Sequence, residues 1–413
     1  MEIESNEFEI KAGDFAIVQR QGYTKLHKLK PHGNMLIGKF NVEMDNVIGQ
    51  RYFDTFQMKN SPENKKMFIL EKVEDSTNAT DALNIEKSGT DNRNITSQGD
   101  TQSLTKEDID KLQDSELNSN AIIYELVNNS KTFNMKTGYS QEKYIRKKEK
   151  KYFEYLQLRK PTIRLLTNMF YRQDPVKTLG IRIDDLSQIL TYANIHSEGN
   201  HLLYDSGTSG LMMAAIMNAI GARTSGTLIH MHPGNQCQKN AFVAMQFPEE
   251  QKVRCLNVNL YSVIRCFYQD TAKEENYEPT RKRQKTEDPS SASTTKVEEE
   301  APKQPQWQLE NEKACRILKT KCDSLVVTSK EHPVNLVKEL LPFLNGGRQL
   351  VVFSLTREPL QDLFLYLKSR LDIVAIKLSN NFMRYYQVLP ERTHPEVNMN
   401  SGGFILSAVK LNC

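Results

Sequence analysis

The chain has 413 residues, 38% hydrophobic and 26% charged, a globular composition with room for two domains at about 100 to 200 residues each. Its formal charge of +4 is too small for the whole molecule to act as a polycation, so any nucleic-acid binding has to come from local clusters of Lys and Arg. No window approaches the roughly 18 apolar residues of a membrane span, the start MEIESNEFEI has no apolar core, and the six cysteines lack CxxC spacing; a soluble, non-secreted protein of a reducing compartment is expected.

Residues 14–18, 34–42, 53–58 and 66–73 read as short strands between Gly, Pro and Asn turns, which predicts a small β-barrel or compact sheet over residues 1–75. Residues 76–180 are expected to form a loop and helical region. Its first part is polar, a long loop that contains the run GTDNRNI at 89–95. Thr105, with Asp108 three residues on, marks the start of a helix. A second helix covers about 119–129 around AIIYELV. A third follows Ser140 and is expected to run to about Leu158, with Ile145, Tyr152 and Leu156 on one face and Pro161 as its terminator.

From Arg182 the pattern changes to alternating strands and helices, the mark of a mostly parallel sheet, so residues 181–413 are expected to form a Rossmann-like α/β domain after an α+β N-terminal part. The expected strands are 201–205, 226–231, 324–329, 348–354 and 373–378. Helices are expected at LMMAAIMNAIG, NLVKELLPFL and PLQDLFLYLKSR. RYYQVLP and GGFILSAVKL should close the sheet as an antiparallel pair. Residues 269–306 are rich in Glu, Lys, Ser, Thr and Pro and are expected to be a disordered insertion. RKRQK at 281–285 lies inside it, a basic cluster compatible with nuclear import, and the nucleus is the expected location.

The segment YDSGTSGLMMAAIM at 204–217 ends a strand in an acid and enters a helix through a small-residue turn, the place where a Rossmann-like domain holds its nucleotide. It resembles the acid-x-Gly-x-Gly-x-Gly turn of class I methyltransferases, which lets the backbone approach S-adenosylmethionine. Asp205 and Gly207 match that pattern, while Ser209 and Leu211 replace the second and third glycines, and a branched Leu211 is expected to crowd the site. The second strand should end in a carboxylate for the cofactor ribose but offers His230 and His232. Thr328 and Ser329 stand where an adenine-modifying enzyme would be expected to carry an Asp. These departures predict a degenerate cofactor turn (Asp205, Gly207, Ser209, Leu211), with no catalytic residues and no cofactor. A hydrolase elbow fails as well, because Gly-x-Ser-x-Gly is not met where Leu211 follows Gly210. His230 and His232 near Cys237 make a poor zinc set, so no metal is expected.

The run KYIRKKEKKY at 143–152 places Lys143, Arg146, Lys147, Lys148, Lys150 and Lys151 against the single acid Glu149. Six cations in under three helical turns repel one another unless an anion neutralises them, and phosphate backbone is the natural partner. A solvated basic face is the competing reading; the flanking Tyr144 and Tyr152, able to stack on RNA, weigh against it. In GTDNRNI, Asn92, Arg93 and Asn94 suit phosphate, ribose and base-edge hydrogen bonds, although such residues also simply form turns. In MRYYQVLPERTHP, Arg384, Tyr385, Tyr386, Gln387, Arg392 and His394 read equally as an RNA contact or a sheet edge.

GTDNRNI, KYIRKKEKKY and RYYQVLPERTHP with the GGFILS strand, in this order, together with DNVIG at 45–49 and the helix before KPTIR, make the chain resemble the non-catalytic subunit of eukaryotic tRNA (adenine-58-N1) methyltransferase. The resemblance runs from about residue 10 to the end, outside the 269–306 insertion. It implies a two-plus-two heterotetramer in which a catalytic partner holds S-adenosylmethionine and this subunit grips tRNA. RNA contact is then implied for Asn92, Arg93, Asn94 and Ile95, for the 143–152 cluster with Tyr144 and Tyr152, and for Arg172, Lys177 and Arg182. Arg357 and Arg384, Tyr385, Tyr386 and Gln387 join them. The alternative is an active S-adenosylmethionine-dependent RNA methyltransferase with an atypical site. A scaffold without RNA contact would leave the 143–152 cations unexplained.

Overall fold

The first strand, β1 (Phe15–Arg20), buries Ala16 and Val18 on the same face that β5 (Thr55–Asn60) lines with Phe56 and Met58. In the computed structural model, which describes residues 8–38, 40–61, 67–73, 89, 102–114, 119–152, 155–275, 305–389, 392–396 and 402–412, the chain divides into two units, residues 1–161 and 162–413. The first unit also holds β2 (Tyr23–Lys28), β3 (Asn34–Ile37), β4 (Phe40–Glu43), β6 (Met67–Val73) and β7 (Tyr155–Arg159). Its sheet runs β2-β1-β7-β5-β6-β4-β3. The Lys25 ammonium on β2 donates to the Leu36 carbonyl on β3 at 3.2 Å, so the two outer strands are bridged and the sheet nearly closes on itself. Two details differ from the expected strands. Residues 34–42 are split at Gly38, where φ is +62°, into the hairpin of β3 and β4, and β2 was not anticipated.

Three helices follow in the same unit: α1 (Lys106–Asp114), α2 (Ser119–Asn128) and α3 (Gly138–Tyr152). The expected cap of α1 is present: the Asp108 N–H donates to Thr105 Oγ1 at 3.2 Å and the Thr105 N–H to Asp108 Oδ2 at 3.1 Å. Ile122, Ile123, Leu126, Phe133 and Ile145 form a separate small core. The third helix is shorter than expected. It ends at Tyr152, and residues expected at its tail form β7 instead, pairing antiparallel with both β1 and β5. Leu156 and Leu158 are buried while Gln157 and Arg159 are less so, a period of two that fills the gap between two strands distant in sequence. That return strand is why the barrel and its helices fall in one unit.

The second unit opens with α4 (Ile163–Gln173), capped by Thr162, whose hydroxyl oxygen accepts from the Leu165 N–H at 3.3 Å, and α5 (Ile183–Tyr192). Then come β8 (Asn200–Asp205), α6 (Leu211–Ile220), β9 (Thr227–His232), α7 (Asn240–Ala244), α8 (Glu249–Val253), β10 (Cys255–Asn259), α9 (Leu260–Glu275), α10 (Gln306–Thr320), β11 (Cys322–Thr328), α11 (Pro333–Leu340), β12 (Leu344–Ser354), α12 (Glu358–Lys368), β13 (Ile373–Asn380), β14 (Tyr386–Leu389), β15 (Arg392–Pro395) and β16 (Phe404–Lys410). The large sheet has the order β10-β9-β8-β11-β12-β16-β13. Strands β10 to β12 are parallel, and β16 runs antiparallel between β12 and β13. The near-continuous apolar runs of β8, β9 and β11 are buried because helices cover both faces. The strand order reverses between β8 and β11, which makes their carboxyl ends the switch point where ligands of such folds bind.

The expected parallel strands and three helices are present, but the closing pair is not. Tyr386–Leu389 pairs with Arg392–Pro395 in a hairpin of its own, while β16 is inserted in the main sheet. A buried β16 needs partners on both edges, and β12 and β13 supply them. Strand β10 escaped sequence reading because Asn257 and Asn259 interrupt its apolar residues, as suits a strand at the sheet's edge.

One buried polar network ties the second unit together. Arg182, just before α5, donates to Asp184 Oδ1 from Nε at 2.9 Å and to Asp184 Oδ2 and the Asn381 carbonyl from Nη2 at 2.6 and 3.2 Å. The Asn381 amide donates to Asp185 Oδ1 at 2.8 Å, and the Arg182 N–H to Asp185 Oδ2 at 3.2 Å. Removing one partner leaves an uncompensated buried charge, so Arg182→Ala is expected to cost about 3 to 5 kcal/mol and to lower the urea midpoint of this unit. Unchanged stability would contradict the network's role.

His201, His230 and His232 are all buried in this unit. Burial holds their imidazoles below the ordinary range, His201 at about 4. Neutral in the fold, His201 gains a proton near pH 6.5 once unfolded, so its stabilisation is complete above that pH and lost as pH falls toward 4, roughly 3 kcal/mol for this residue alone. Urea midpoints are expected to drop between pH 7 and 5, and less steeply for His201→Gln. A flat profile in the parent chain would refute this.

Candidate functional site

Two places carry the expected chemistry, one in each unit, and the switch point in the second unit comes first. Strand β8 delivers Asp205 to the turn before α6, where its carboxylate closes on that turn. Asp205 Oδ1 accepts from the Gly207 and Thr208 N–H groups, both at 3.0 Å, and Oδ2 accepts from the Thr208 hydroxyl. Ser209 adopts a left-handed φ of +55°, held by the Gln238 side chain accepting from its N–H at 3.1 Å and by its own hydroxyl donating to the Lys177 carbonyl at 2.9 Å. Both carboxylate oxygens are engaged by neighbours in sequence.

The space above the turn is small. A cavity of about 150 Å³ is lined by Asp205, Ser206 and Gly207, by His230 and His232 from the end of β9, and by Pro233, Gly234, Gln236 and Gln238. Pockets that enclose drug-sized ligands run to roughly 300 to 1,000 Å³. Lys330 narrows it further: its stem lies across Gly207, where an added Cβ would come within 2.6 Å of Lys330 Cε, and its N–H donates to Ser206 Oγ at 2.8 Å. Gly207 therefore serves close packing against a lysine.

The expected crowding by Leu211 is corrected. Leu211 is fully buried at the start of α6 and does not line the cavity; Lys330 and the segment around Gln238 do the crowding. Lys330 was missed in the sequence because only the fold carries β11 alongside β8.

At the end of β9, His230 Nδ1 lies 3.0 Å from Asn257 Oδ1, an atom that only accepts, so Nδ1 carries the proton and Nε2 is a bare acceptor without a protein partner. His232 Nδ1 likewise has none. One imidazole lone pair cannot take both hydroxyls of a ribose as a carboxylate does. Burial pushes the Cys237 thiol up to about 12, so it is not a ready thiolate. Among the described residues no group of three or more His, Cys, Asp or Glu is arranged to hold a metal ion. Thr328 directs its hydroxyl to the Tyr204 carbonyl at 3.4 Å, and Ser329 to the Glu331 carbonyl at 2.7 Å, so neither stands free to orient a base. The residues present do not fit S-adenosylmethionine.

In the first unit, α3 carries the basic run. Lys143, Arg146 and Lys147 are exposed, and Arg146 pairs with Glu142 one turn back. Lys150, Lys151 and Tyr152 continue the same helix. Tyr144 is not the open stacking surface its position suggested. Its ring meets Phe133 edge-on at 5.6 Å, with the Lys136 ammonium 4.5 Å and the Lys148 ammonium 5.3 Å from its centroid. Asn92, Arg93, Asn94 and Ile95 lie outside the described residues, but Gly89 at the head of their run is described. Its N–H donates to the Lys136 carbonyl at 2.8 Å, and a Cβ there would overlap the Met135 carbonyl, so only glycine fits.

The other expected RNA residues lie in the second unit. Arg172 on α4, Lys177 beyond it and Arg357 at the start of α12 are exposed, with the Lys177 ammonium 3.4 Å from Asp174. Arg384, Tyr385 and Tyr386 are exposed at the β14 hairpin, Gln387 is half-buried, and the Arg384 guanidinium lies 5.2 Å from the Phe382 ring centroid. Arg182 alone turns inward: it is 5% exposed, and its guanidinium is committed to Asp184 and Asn381. It positions the segments beside it and has no face for RNA. Gly180, in contact with Leu355, and Asn381, held by Arg182, bring the loops bearing Lys177, Arg357 and Arg384 to this side of the unit.

Comparison with known proteins agrees with this reading. The chain is 29% identical over 453 residues to the mouse tRNA (adenine(58)-N(1))-methyltransferase non-catalytic subunit TRM6, covering 96% of this chain and 88% of that protein. It is also 29% identical over 419 residues to the protein of the same description from Dictyostelium discoideum, covering 97% and 79%. Among solved structures, a SAM-dependent O-methyltransferase from Thermotoga maritima superimposes with a TM-score of 0.50 at 10% identity, covering 98% of this chain and 95% of its own, a likeness of fold alone. Residues 9–300 match the Gcd10p family, and the chain belongs to it.

Proposed function

We propose that this chain is the non-catalytic subunit of a tRNA (adenine-58-N1) methyltransferase, one that binds tRNA beside a separate catalytic subunit. The observation that carries the reading is the Asp205 turn. A methyltransferase fold keeps its switch point, but the acid there is saturated by Gly207 and Thr208, the space is about 150 Å³, and no carboxylate stands at His232 or Thr328. The relatives' names, each describing a non-catalytic subunit, support it. The methyl donor is then held by the partner, and this subunit contributes grip and placement. A two-plus-two assembly and a nuclear location, the latter resting on RKRQK at 281–285, belong to the same proposal.

The exposed cations supply the grip. Lys143 and Lys147 on α3 form no ion pair with a described residue, and phosphates can release counterions from them whatever the RNA sequence. Arg172, Arg357 and Arg384 offer further contacts of the same kind in the other unit. Base discrimination and chemistry need no residue of this chain.

Titration calorimetry of the purified chain with S-adenosylmethionine is expected to give no binding in the micromolar range, whereas the complex with its catalytic partner methylates tRNA. Micromolar binding by the chain alone would favour an active enzyme with an atypical site. Leu211→Gly should not restore binding, because Leu211 lies outside the cavity.

Replacing Lys147, Lys148, Lys150 and Lys151 with Ala is expected to weaken tRNA binding by the assembled complex without disturbing subunit pairing. Losing two or three phosphate contacts at roughly 0.7 to 0.9 each should flatten the dependence of log K on log salt by about two units. Unchanged affinity and unchanged salt dependence would mark the helix as a solvated face.

A further inference from the structure

Lys136 lies seven residues before the basic run, in the turn that leads into α3, and sequence alone gives no reason to group it with Lys148. The fold brings both to one ring. Their ammonium groups are 4.5 and 5.3 Å from the Tyr144 centroid, which keeps the two charges within about 10 Å of each other. An aromatic face attracts a cation without neutralising it, so two ammonium groups on one ring still repel. An anion placed between them removes that repulsion.

Three further features point the same way. No carboxylate pairs with Lys136 among the described residues. Burial alone lowers its pKa from the ordinary value, the condition of a cation that has lost hydration without gaining a counter-charge. The turn that carries it is fixed from both sides: its N–H donates to the Phe133 carbonyl at 3.1 Å, and its own carbonyl accepts from Gly89 at 2.8 Å. The ammonium is therefore presented by a held backbone at the foot of a helix that already displays Lys143 and Lys147.

We propose that Lys136 and Lys148, gathered on Tyr144, form a binding site for a backbone phosphate of the bound RNA, with Tyr144 as the positioning residue. This rests on the RNA-binding reading above. It changes the part played by Tyr144, whose ring holds the cations and does not stack on a base. A phosphodiester fits between two ammonium groups because it offers two unesterified oxygens sharing one charge, and a lysine meets it as a point charge without demanding a fixed angle.

The test uses the assembled complex and tRNA, with affinity measured across a series of salt concentrations. Lys136→Gln is expected to flatten the slope of log K against log salt by roughly 0.7 to 0.9, the share of one phosphate. Tyr144→Leu should reproduce that loss, and Tyr144→Phe, which keeps the ring, should not. A Lys143→Ala, Lys147→Ala double variant runs alongside. If the double variant weakens binding and flattens the slope while Lys136→Gln changes neither, the phosphate site is wrong and the RNA-binding helix stands. If neither changes binding, the site and the reading beneath it both fall. If Tyr144→Phe loses as much as Tyr144→Leu while Lys136→Gln has no effect, the tyrosine acts through its hydroxyl and the two-lysine site is overturned.

Discussion

The second unit is organised around a carboxylate that has turned back on its own chain. With Oδ1 accepting two backbone N–H groups and Oδ2 accepting the Thr208 hydroxyl, Asp205 has no oxygen left for a ligand, and the turn it stabilises carries Ser209 into a left-handed conformation. A non-glycine residue there costs on the order of 1 kcal/mol or more, and it persists because its surroundings hold it. Gln238 and the Lys177 carbonyl do so. The same contacts draw the segment after β9 over the turn and leave only the small cavity beneath. The loss of cofactor space and the stability of the turn thus have one cause.

Helix α6 follows from that turn. Apart from Asn218 and Ala219 its residues are buried, and so it is a core helix fixed on several sides. A switch point freed of its ligand is usually a liability, since it leaves polar backbone facing an empty crevice. Here side chains fill that role. Lys330 covers Gly207 and its N–H meets Ser206, while the bare nitrogens of His230 and His232 mark the polar lining that remains.

Arginine and lysine play opposed parts in the two units. Arg182 reads in sequence like any other cation of an RNA-binding stretch, yet it is interior and joins residues 199 positions apart. Lys143 and Lys147, with no such partners, remain at the surface. The difference is electrostatic: a guanidinium can be buried where two carboxylates and a carbonyl meet its fork, and it becomes structural there. Lysines on α3 have no comparable acceptors among the described residues and keep their charge for solvent or phosphate.

Much of this protein was legible in its sequence. The alternation of apolar runs gave the parallel strands; Thr105 with Asp108 gave the start of α1; and DSGTSGL, with His230, His232 and Thr328 in place of acids, gave the degenerate site. These signals are local, since periodicity, caps and ligand chemistry depend on residues a few positions apart. What the sequence left undecided was every choice of distant partner: β7 returning between β1 and β5, β16 entering between β12 and β13, Arg182 turning inward, Lys330 lying over Gly207, and Lys136 meeting Lys148 on Tyr144. A strand or a charge carries its own propensity but not its neighbour, and only the packed fold, by closing sheet edges and excluding water, determines which groups must satisfy one another.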